Sequence, residues 1–247
     1  MSRPIPVREV AKRADLLGQL SYPHGDPRHS LEALQALERI GVEAVTLDER
    51  GLLKLLGKGF RNIVLEGVMA GERVAVKIRR SDYVSRDASR EAAMHGLANR
   101  LGVGPRLLGW CGPVLVMELV SGPDLSTWLA TGGYAPAEAK EALLELALQC
   151  FRLDQGGLDH GELSDARRHV LVVGNRPVII DFGSARITPR PKNLTSILSY
   201  LFGRNLGGVR SLLGLRTPRR EALRRYKENP SEEQFVGLMR MVGLLEG

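Results

Sequence analysis

Two carboxylate-bearing motifs stand in the second half of the chain, and their acidic residues are nineteen positions apart. The first motif is His160-Gly161-Glu162-Leu163, and the second is Ile180-Asp181-Phe182-Gly183. An aspartate directly after a buried strand offers the hard oxygen ligands that Mg2+ prefers. The carboxylate of Glu162 can accept a hydroxyl proton or orient the hydroxyl group. The two motifs therefore suit a metal ligand and a proton acceptor.

A glycine-rich stretch and a strand lysine in the first half suit the binding of phosphate. Residues 57–64 read Gly-Lys-Gly-Phe-Arg-Asn-Ile-Val, and glycine lets backbone amides approach phosphate oxygens. An ordinary glycine-rich hairpin is the alternative interpretation. Lys77 closes an apolar strand pattern and needs a carboxylate to hold its long stem. Glu91, fourteen residues further on, is the candidate, with Glu72 and Asp87 as competing acids.

Together these motifs resemble those of protein kinases. Residues 57–64 are similar to the G-x-G-x-x-G-x-V loop, with Asn62 in place of the third glycine, and Val74–Lys77 is similar to V-A-I-K. The two carboxylate motifs resemble H-x-D-L and D-F-G. The H-G-x-L form is similar to RIO-type kinases. The resemblance covers about Leu52 to Ala185 and indicates predicted archaeal serine/threonine protein kinases, relatives of the RIO and KEOPS-complex kinases.

The resemblance implies a serine/threonine protein kinase that binds ATP with Mg2+ or Mn2+. Lys77 would reach the α and β phosphates, Glu91 would hold Lys77, and Asp181 would bind the metal. Met117 would occupy the gatekeeper position, and the backbones of Glu118 and Val120 would bond the adenine. The implied nucleotide-binding residues are Gly57, Lys58, Gly59, Asn62, Val64, Ala75, Lys77, Met117, Glu118, Val120 and Leu171. No A-P-E motif follows Asp181, so the resemblance implies a reduced C-lobe.

Two departures from the kinase pattern leave the activity open. Glu162 replaces the catalytic aspartate, and its extra methylene shifts the carboxylate oxygens. The metal-binding asparagine is replaced by Arg167 or, in the other alignment, by His169. His169 would suit Mn2+ better than Mg2+, or would be a core or phosphate contact. The alternatives to an active kinase are an ATPase switch acting on RNA, ribosome or tRNA-modification assemblies, and a nucleotide-binding pseudokinase scaffold.

The charge of the chain is concentrated near its C-terminal end. The net charge is +7, and residues Arg186 to Lys227 contain eleven Lys or Arg against the single acid Glu221. This segment favours an anionic partner such as RNA or a ribonucleoprotein, and a solvated helix face is the alternative. It also argues against a polycationic small-molecule substrate.

The remaining composition predicts a cytoplasmic protein that does not enter a membrane. The two cysteines, Cys111 and Cys150, lack neighbours at metal-ligand spacing and are interpreted as reduced core thiols. The N-terminus has no signal-peptide pattern, and no apolar run reaches the ~20 residues of a membrane helix.

The elements that must position these residues form a two-lobed α+β pattern. Residues 1–50 predict a helical extension that is either a cap or a docking module, with helices over Val7–Leu20 and from Asp26-Pro27 to Gly41. Residues 51–120 predict a β-rich N-lobe with one helix over Ala88–Leu101. Residues 121–247 predict a mainly helical C-lobe. The strands are predicted at Val42–Leu47, Leu52–Leu56, Ile63–Val68, Arg73–Ile78, Arg106–Trp110, Val114–Glu118, Val170–Val173 and Val178–Ile180.

Overall fold

The computed structural model describes residues 3–85, 87–203 and 207–246, and Arg204 of the basic segment lies outside these ranges. The chain divides into two compact units. The first combines Met1–Ala93 with Arg106–Leu119, and the second combines Met94–Pro105 with Val120–Gly247. The architecture is α+β, as the sequence predicts.

The first unit is built on an antiparallel sheet in which the strand order is β1-β2-β4-β5-β7-β6, and β3 also pairs with β4. The short hairpin β4–β5 supplies the longest ladder, which pairs Asn62 with Arg79 at one end and Met69 with Glu72 at the other. The strands are β1 (Arg3–Pro6), β2 (Ala44–Leu47), β3 (Leu55–Lys58), β4 (Asn62–Met69), β5 (Glu72–Arg79), β6 (Leu107–Cys111) and β7 (Val114–Glu118).

The N-terminal helices belong to this unit. They are α1 (Val7–Val10), α2 (Ala14–Leu20) and α3 (Pro27–Ile40). The single helix predicted over Val7–Leu20 is wrong, because Arg13 is extended and separates α1 from α2. The predicted ends of α3 are confirmed: the Asp26 carboxylate accepts from two amides of the first turn, and Gly41 is left-handed with a φ of 93°.

One apolar core joins these helices to the sheet. Leu16, Leu20 and Leu37 are fully buried in the same cluster as Val45 and Val76. This burial follows the helical spacing of the leucines in α3 and the β-branched composition of the strands. Residues 1–50 therefore share a core with the glycine-rich hairpin and the strand lysine.

The second unit is mainly helical. Helix α4 (Ser89–Arg100) contributes its last seven residues, and the apolar face predicted for α6 is confirmed, since Ala139, Leu143, Leu146, Ala147 and Cys150 are all buried. The other elements are α5 (Leu125–Thr131), α6 (Pro136–Gln155), β8 (Leu158–Asp159), β9 (Val170–Val173), β10 (Arg176–Ile179), β11 (Arg186–Ile187), α7 (Asn193–Leu201), α8 (Gly207–Leu212), α9 (Arg220–Glu228) and α10 (Glu232–Val242).

Two shifts from the predicted elements affect candidate residues. Strand β3 begins later than predicted, so Gly57 and Lys58 lie in the strand itself. A short 3-10 helix over Leu163–Arg168 follows Glu162, although the sequence pattern did not predict it.

Over the described part of the chain, no helix has both the length and the apolar character needed to cross a membrane.

Candidate functional site

Lys77, Arg79 and Glu91 form a buried charge cluster in the first unit. The Nζ atom of Lys77 donates to Oε1 of Glu91 at 2.6 Å, and Nη2 of Arg79 lies 3.1 Å from Oε2 of the same carboxylate. Each of the three side chains is at most 7% exposed. The competing acids Glu72 and Asp87 are both exposed. The predicted pairing of Lys77 with Glu91 is therefore present.

Two cations share the carboxylate of Glu91 in this cluster. The second cation, Arg79, also donates to Oδ1 of Asn62 at 3.1 Å. Its Nε atom is buried and has no hydrogen-bond partner within the described residues. A buried donor without an acceptor costs free energy, and the Nε atom of Arg79 is such a donor.

The glycine-rich hairpin joins β3 to β4. The amide of Gly59 donates to the carbonyl of Asn62 at 2.8 Å, and Phe60 at the tip is 82% exposed. Neither Gly57 nor Gly59 has a positive φ. A Cβ atom added at Gly57 would lie 4.0 Å from its nearest neighbour, and one at Gly59 would lie 3.6 Å away. Within the described residues, neither a positive φ nor a close contact requires glycine at position 57 or 59.

Asn62 has a different role from the one predicted. In the sequence, Asn62 stands at the third glycine of the motif, where a positive φ is expected. Asn62 instead is the first residue of β4, pairs with Arg79 across the ladder and has no positive φ. Its side chain is buried, so it links the hairpin to the charge cluster through Arg79.

The adenine-binding residues predicted for the first unit lie on neighbouring strands. Ala75 of β5 pairs with Met117 of β7, and Val64 of β4 pairs with Lys77. The amide of Glu118 donates to the carbonyl of Arg106 at 2.9 Å. In the second unit, Leu171 forms an isolated bridge with Asp124, and both Leu171 and Val120 are half-buried.

In the second unit, His160 connects the two carboxylate motifs. Its Nε2 lies 2.9 Å from the carbonyl of Ile180, and its Nδ1 lies 3.4 Å from the amide nitrogen of Glu162. A carbonyl only accepts and an amide N–H only donates, so the ring is the neutral tautomer with its proton on Nε2. Burial lowers the pKa of His160, which favours this neutral form.

Two unusual backbone conformations shape the same region. Gly161 has a φ of 88°, and a Cβ atom there would lie 3.0 Å from the carbonyl oxygen of Ser184. Asp181 has a φ of 66° although it is not glycine, and its Oδ1 accepts from the amide of Gly183. A left-handed aspartate is strained, and such strain is concentrated at functional sites.

The two candidates for the second metal-binding position differ in environment. Arg167 is exposed, and its Nε donates to Asp165 at 2.9 Å. His169 is buried, and its Nε2 lies 4.0 Å from Oε2 of Glu162. The Nδ1 atom of His169 is buried without a hydrogen-bond partner among the described residues. His169 is therefore the candidate that faces Glu162.

A column of buried rings, which the motifs did not reveal, supports both carboxylate motifs. The Phe182 ring lies 5.3 Å from the His160 ring and 5.1 Å from the His95 ring. A Cβ atom at Gly104 would lie 2.7 Å from Phe182, so the column requires glycine there. The Gly-Val-Gly-Pro turn before β6 is a visible sequence signal for such a close approach.

A polar network behind the His160 motif was also not predicted from the sequence. Oδ1 of Asn193 accepts from the amide of His160 at 2.8 Å, and its Nδ2 donates to Asp154 and to the carbonyl of Leu158. Asp154 further accepts from the hydroxyl of Tyr226 at 2.8 Å. Each hydrogen bond of this network joins two residues that are more than thirty positions apart in sequence, so no local pattern indicates their contact.

Several cations of the basic segment are engaged within the chain. Arg186 forms an ion pair with Asp159, and Arg225 pairs with Glu221 at 2.7 Å. Arg224 lies 3.7 Å from Glu228, and Arg210 donates to the carbonyl of Phe202. The segment thus has fewer uncompensated charges than its composition predicts.

The carboxylates of the two motifs are hard oxygen donors. Asp181 and Glu162 supply carboxylate oxygens, and Mg2+ usually takes only one or two of these from protein. Within residues 3–85, 87–203 and 207–246, no group of three or more His, Cys, Asp or Glu could hold a metal by itself.

A scan against protein-family models and a search of curated proteins found no match to this chain.

Proposed function

We propose that this chain is an ATP-dependent phosphotransferase of the protein kinase-like fold, acting as an atypical, RIO-like serine/threonine protein kinase. The buried pair of Lys77 and Glu91 is the observation that carries the proposal. Burying a lysine costs desolvation free energy. An ion pair that holds its ammonium in one orientation suits a fixed phosphate contact. The glycine-rich hairpin in the same unit supports this assignment.

Lys77 would bind the α and β phosphates of ATP, and Glu91 would keep its ammonium in position. Gly57 and Gly59 would let the hairpin backbone approach the phosphates. The absence of any local requirement for glycine at either position supports this role.

Asp181 would bind the divalent cation, which would neutralise charge on the β and γ phosphates. Glu162 would orient the acceptor hydroxyl or accept its proton, and His160 would hold the backbone of both motifs. His169 lies next to Glu162 and would be a second metal or phosphate contact. Catalysis would depend mainly on positioning and electrostatics, as phosphoryl transfer requires.

Incubation with γ-labelled ATP tests the proposal. Wild type, Asp181→Asn and Asp165→Asn are compared with Mg2+ and with Mn2+, and both labelled protein and free phosphate are counted. Asp165 is the matched control, because it is a half-buried aspartate held by Arg167 outside the proposed chemistry. We expect label on protein in wild type and in Asp165→Asn, and a loss of about 100-fold or more in Asp181→Asn.

The other outcomes distinguish the alternatives. Free phosphate without labelled protein would favour an ATPase switch. Bound nucleotide without turnover would favour a pseudokinase scaffold and would point to Glu162 as the reason. Labelling that is equal in all three proteins would contradict the assignment of Asp181.

A further inference from the structure

The N-terminal extension contacts the glycine-rich hairpin through Tyr22. The ammonium of Lys58 lies 3.8 Å from the centre of the Tyr22 ring, and the guanidinium carbon of Arg80 lies 4.9 Å from the same centre. Cation–π contacts of this kind are favourable within about 6 Å of the ring centre. One aromatic ring of the extension therefore binds a cation on β3 and another just after β5.

Arg80 connects this ring to the hairpin backbone. Its Nη1 donates to the carbonyl of Gly59 at 3.2 Å, and its own amide donates to the carbonyl of Arg61 at 2.9 Å. Asp82 accepts two hydrogen bonds from the same guanidinium, which fixes its orientation. The two hairpin carbonyls on either side of Phe60 are thus held by one residue.

A buried network fixes the position of Tyr22 and its neighbours. The amide of Ser81 donates to the carbonyl of Tyr22 at 3.0 Å, and the Ser81 hydroxyl donates to the carbonyl of Ser21 at 2.8 Å. Nε2 of His29 on α3 donates to the carbonyl of Arg79 at 2.7 Å. Buried hydrogen bonds of this kind favour one defined conformation of a segment.

The three consecutive residues Arg79, Arg80 and Ser81 therefore connect three parts of the first unit. Arg79 binds Asn62 of the hairpin and Glu91 of the charge cluster. Arg80 binds the hairpin tip, and Ser81 binds the N-terminal extension. The extension, the hairpin and the partner of Lys77 are coupled through this short segment.

We propose that the N-terminal extension holds the glycine-rich hairpin in position, and that Tyr22 and Arg80 are the positioning residues. The contacts hold the hairpin in the form that accepts phosphates, so loosening them would weaken nucleotide binding. This inference rests on the proposed function of the hairpin, but the contacts and their effect on hairpin motion can be measured without any nucleotide.

Hydrogen exchange of the nucleotide-free protein tests the coupling first. Tyr22→Leu removes the aromatic face while keeping an apolar side chain, and Arg80→Met removes the guanidinium. We expect either change to raise amide exchange across residues 57–62 by about threefold to tenfold, as the loss of one or two cation–π contacts predicts. Amides in the centre of the β4–β5 ladder should be unaffected.

The controls separate positioning from general destabilisation. Tyr22→Phe keeps the ring and should restore wild-type exchange, and Lys12→Met breaks only an exposed ion pair with Glu9 in the same extension. Titration with Mg-ATP should then show about threefold weaker binding for Tyr22→Leu and Arg80→Met, with Tyr22→Phe unchanged.

Each result has a distinct meaning. Unchanged exchange at residues 57–62 in a folded Arg80→Met or Tyr22→Leu protein would overturn the proposal. Faster exchange with unchanged ATP affinity would also overturn it, because the hairpin form would not matter for binding. Wild type that binds no ATP would contradict the proposed function, whereas the exchange result would still report on the coupling.

Discussion

The two units each contain a nearly fully buried carboxylate, and the two are compensated in different ways. Glu91 in the first unit is held by two cations, the ammonium of Lys77 and the guanidinium of Arg79. Among the described residues, Asp154 in the second unit accepts hydrogen bonds from neutral donors, which are the amides of Asn193 and Leu194, the side-chain amide of Asn193 and the hydroxyl of Tyr226.

The difference indicates different roles. A carboxylate held by two cations can fix the positions of those side chains, whereas a carboxylate surrounded by neutral donors fixes the backbone at the start of a helix. Glu91 therefore orients Lys77 and Arg79, and Asp154 connects α6 with α7 and α9. The predictions below test this distinction in order of expected effect.

Glu91→Gln should cause the largest loss of stability. It removes the carboxylate that Lys77 and Arg79 share, and breaking a buried ion pair in this way costs about 3–5 kcal/mol. Lys77→Met should cost less, because Glu91 keeps its contact with Arg79. Denaturant unfolding of the three proteins measures both changes.

Lys54→Met is the matched control for Lys77→Met. Lys54 lies 2.9 Å from the buried carboxylate of Glu66, which also keeps Arg73 as a partner. Both variants thus leave a compensated carboxylate, and only Lys77→Met should reduce ATP binding. Equal destabilisation by Glu91→Gln and Lys77→Met would contradict the shared-carboxylate arrangement.

Gly161→Ala should reduce both the stability of the second unit and the transfer activity. Its positive φ strains any residue other than glycine, and the new Cβ would be 3.0 Å from the carbonyl of Ser184. We expect a loss of about 1–3 kcal/mol together with reduced transfer activity. Gly174→Ala is the control, since Gly174 has a φ of 60° and nothing within 4 Å of the added Cβ. Similar losses in stability and activity would mean that the contact with Ser184 is unimportant.

The pH dependence of stability should reveal Asp154. Burial raises the pKa of Asp154 above its ordinary value of 3.8, although its hydrogen bonds act in the opposite direction. The folded state then holds more protons than the unfolded state between the two pKa values, so this residue's contribution to stability falls as pH rises through that window.

Asp154→Asn removes this titration. Denaturant unfolding from about pH 4 to about pH 7 should show wild type losing stability relative to Asp154→Asn as pH rises. A constant difference between the two proteins across that range would show that the raised pKa has no effect on stability. A difference that grows in favour of wild type would indicate the opposite shift.

Gly59→Ala should have the smallest effect on stability and a visible effect on binding. Its φ is not positive and space is available for a methyl group, so the folded state should be unchanged or stabilised by about 0.4–1 kcal/mol. ATP affinity should fall, because the methyl group would stand between the hairpin backbone and the phosphates. Thermal unfolding and ATP titration measure the two effects. Unchanged affinity would favour an ordinary hairpin.

Much of the fold could be predicted because its signals are local. The Asp26-Pro27 start and Gly41 end of α3 and the bounds of β7 follow from capping residues and β-branched runs. The break between α1 and α2 was missed, because neither Gly nor Pro marks residues 11–13. The late start of β3 depends on its pairing with β4, which no single segment contains.

In the candidate site, too, contacts that a local pattern indicates could be predicted and contacts between distant segments could not. The Lys77–Glu91 pair could be predicted, since a motif fixes the lysine and helical spacing limits the choice of acid. The involvement of Arg79, His95, Asn193 and Tyr226 could not, because each depends on contacts between distant segments. For Asn62, the motif suggested a backbone role, whereas its side chain makes the important contact with Arg79.

Calorimetric titration of the wild-type protein with ATP, ADP, AMP and adenosine in the presence of Mg2+ tests the central claim most directly. If the cluster of Lys77, Arg79 and Glu91 binds phosphates, affinity should be highest for ATP and should fall with each phosphate removed. Adenosine should then bind weakest. Equal affinity for all four ligands, or no binding of ATP, would contradict the account.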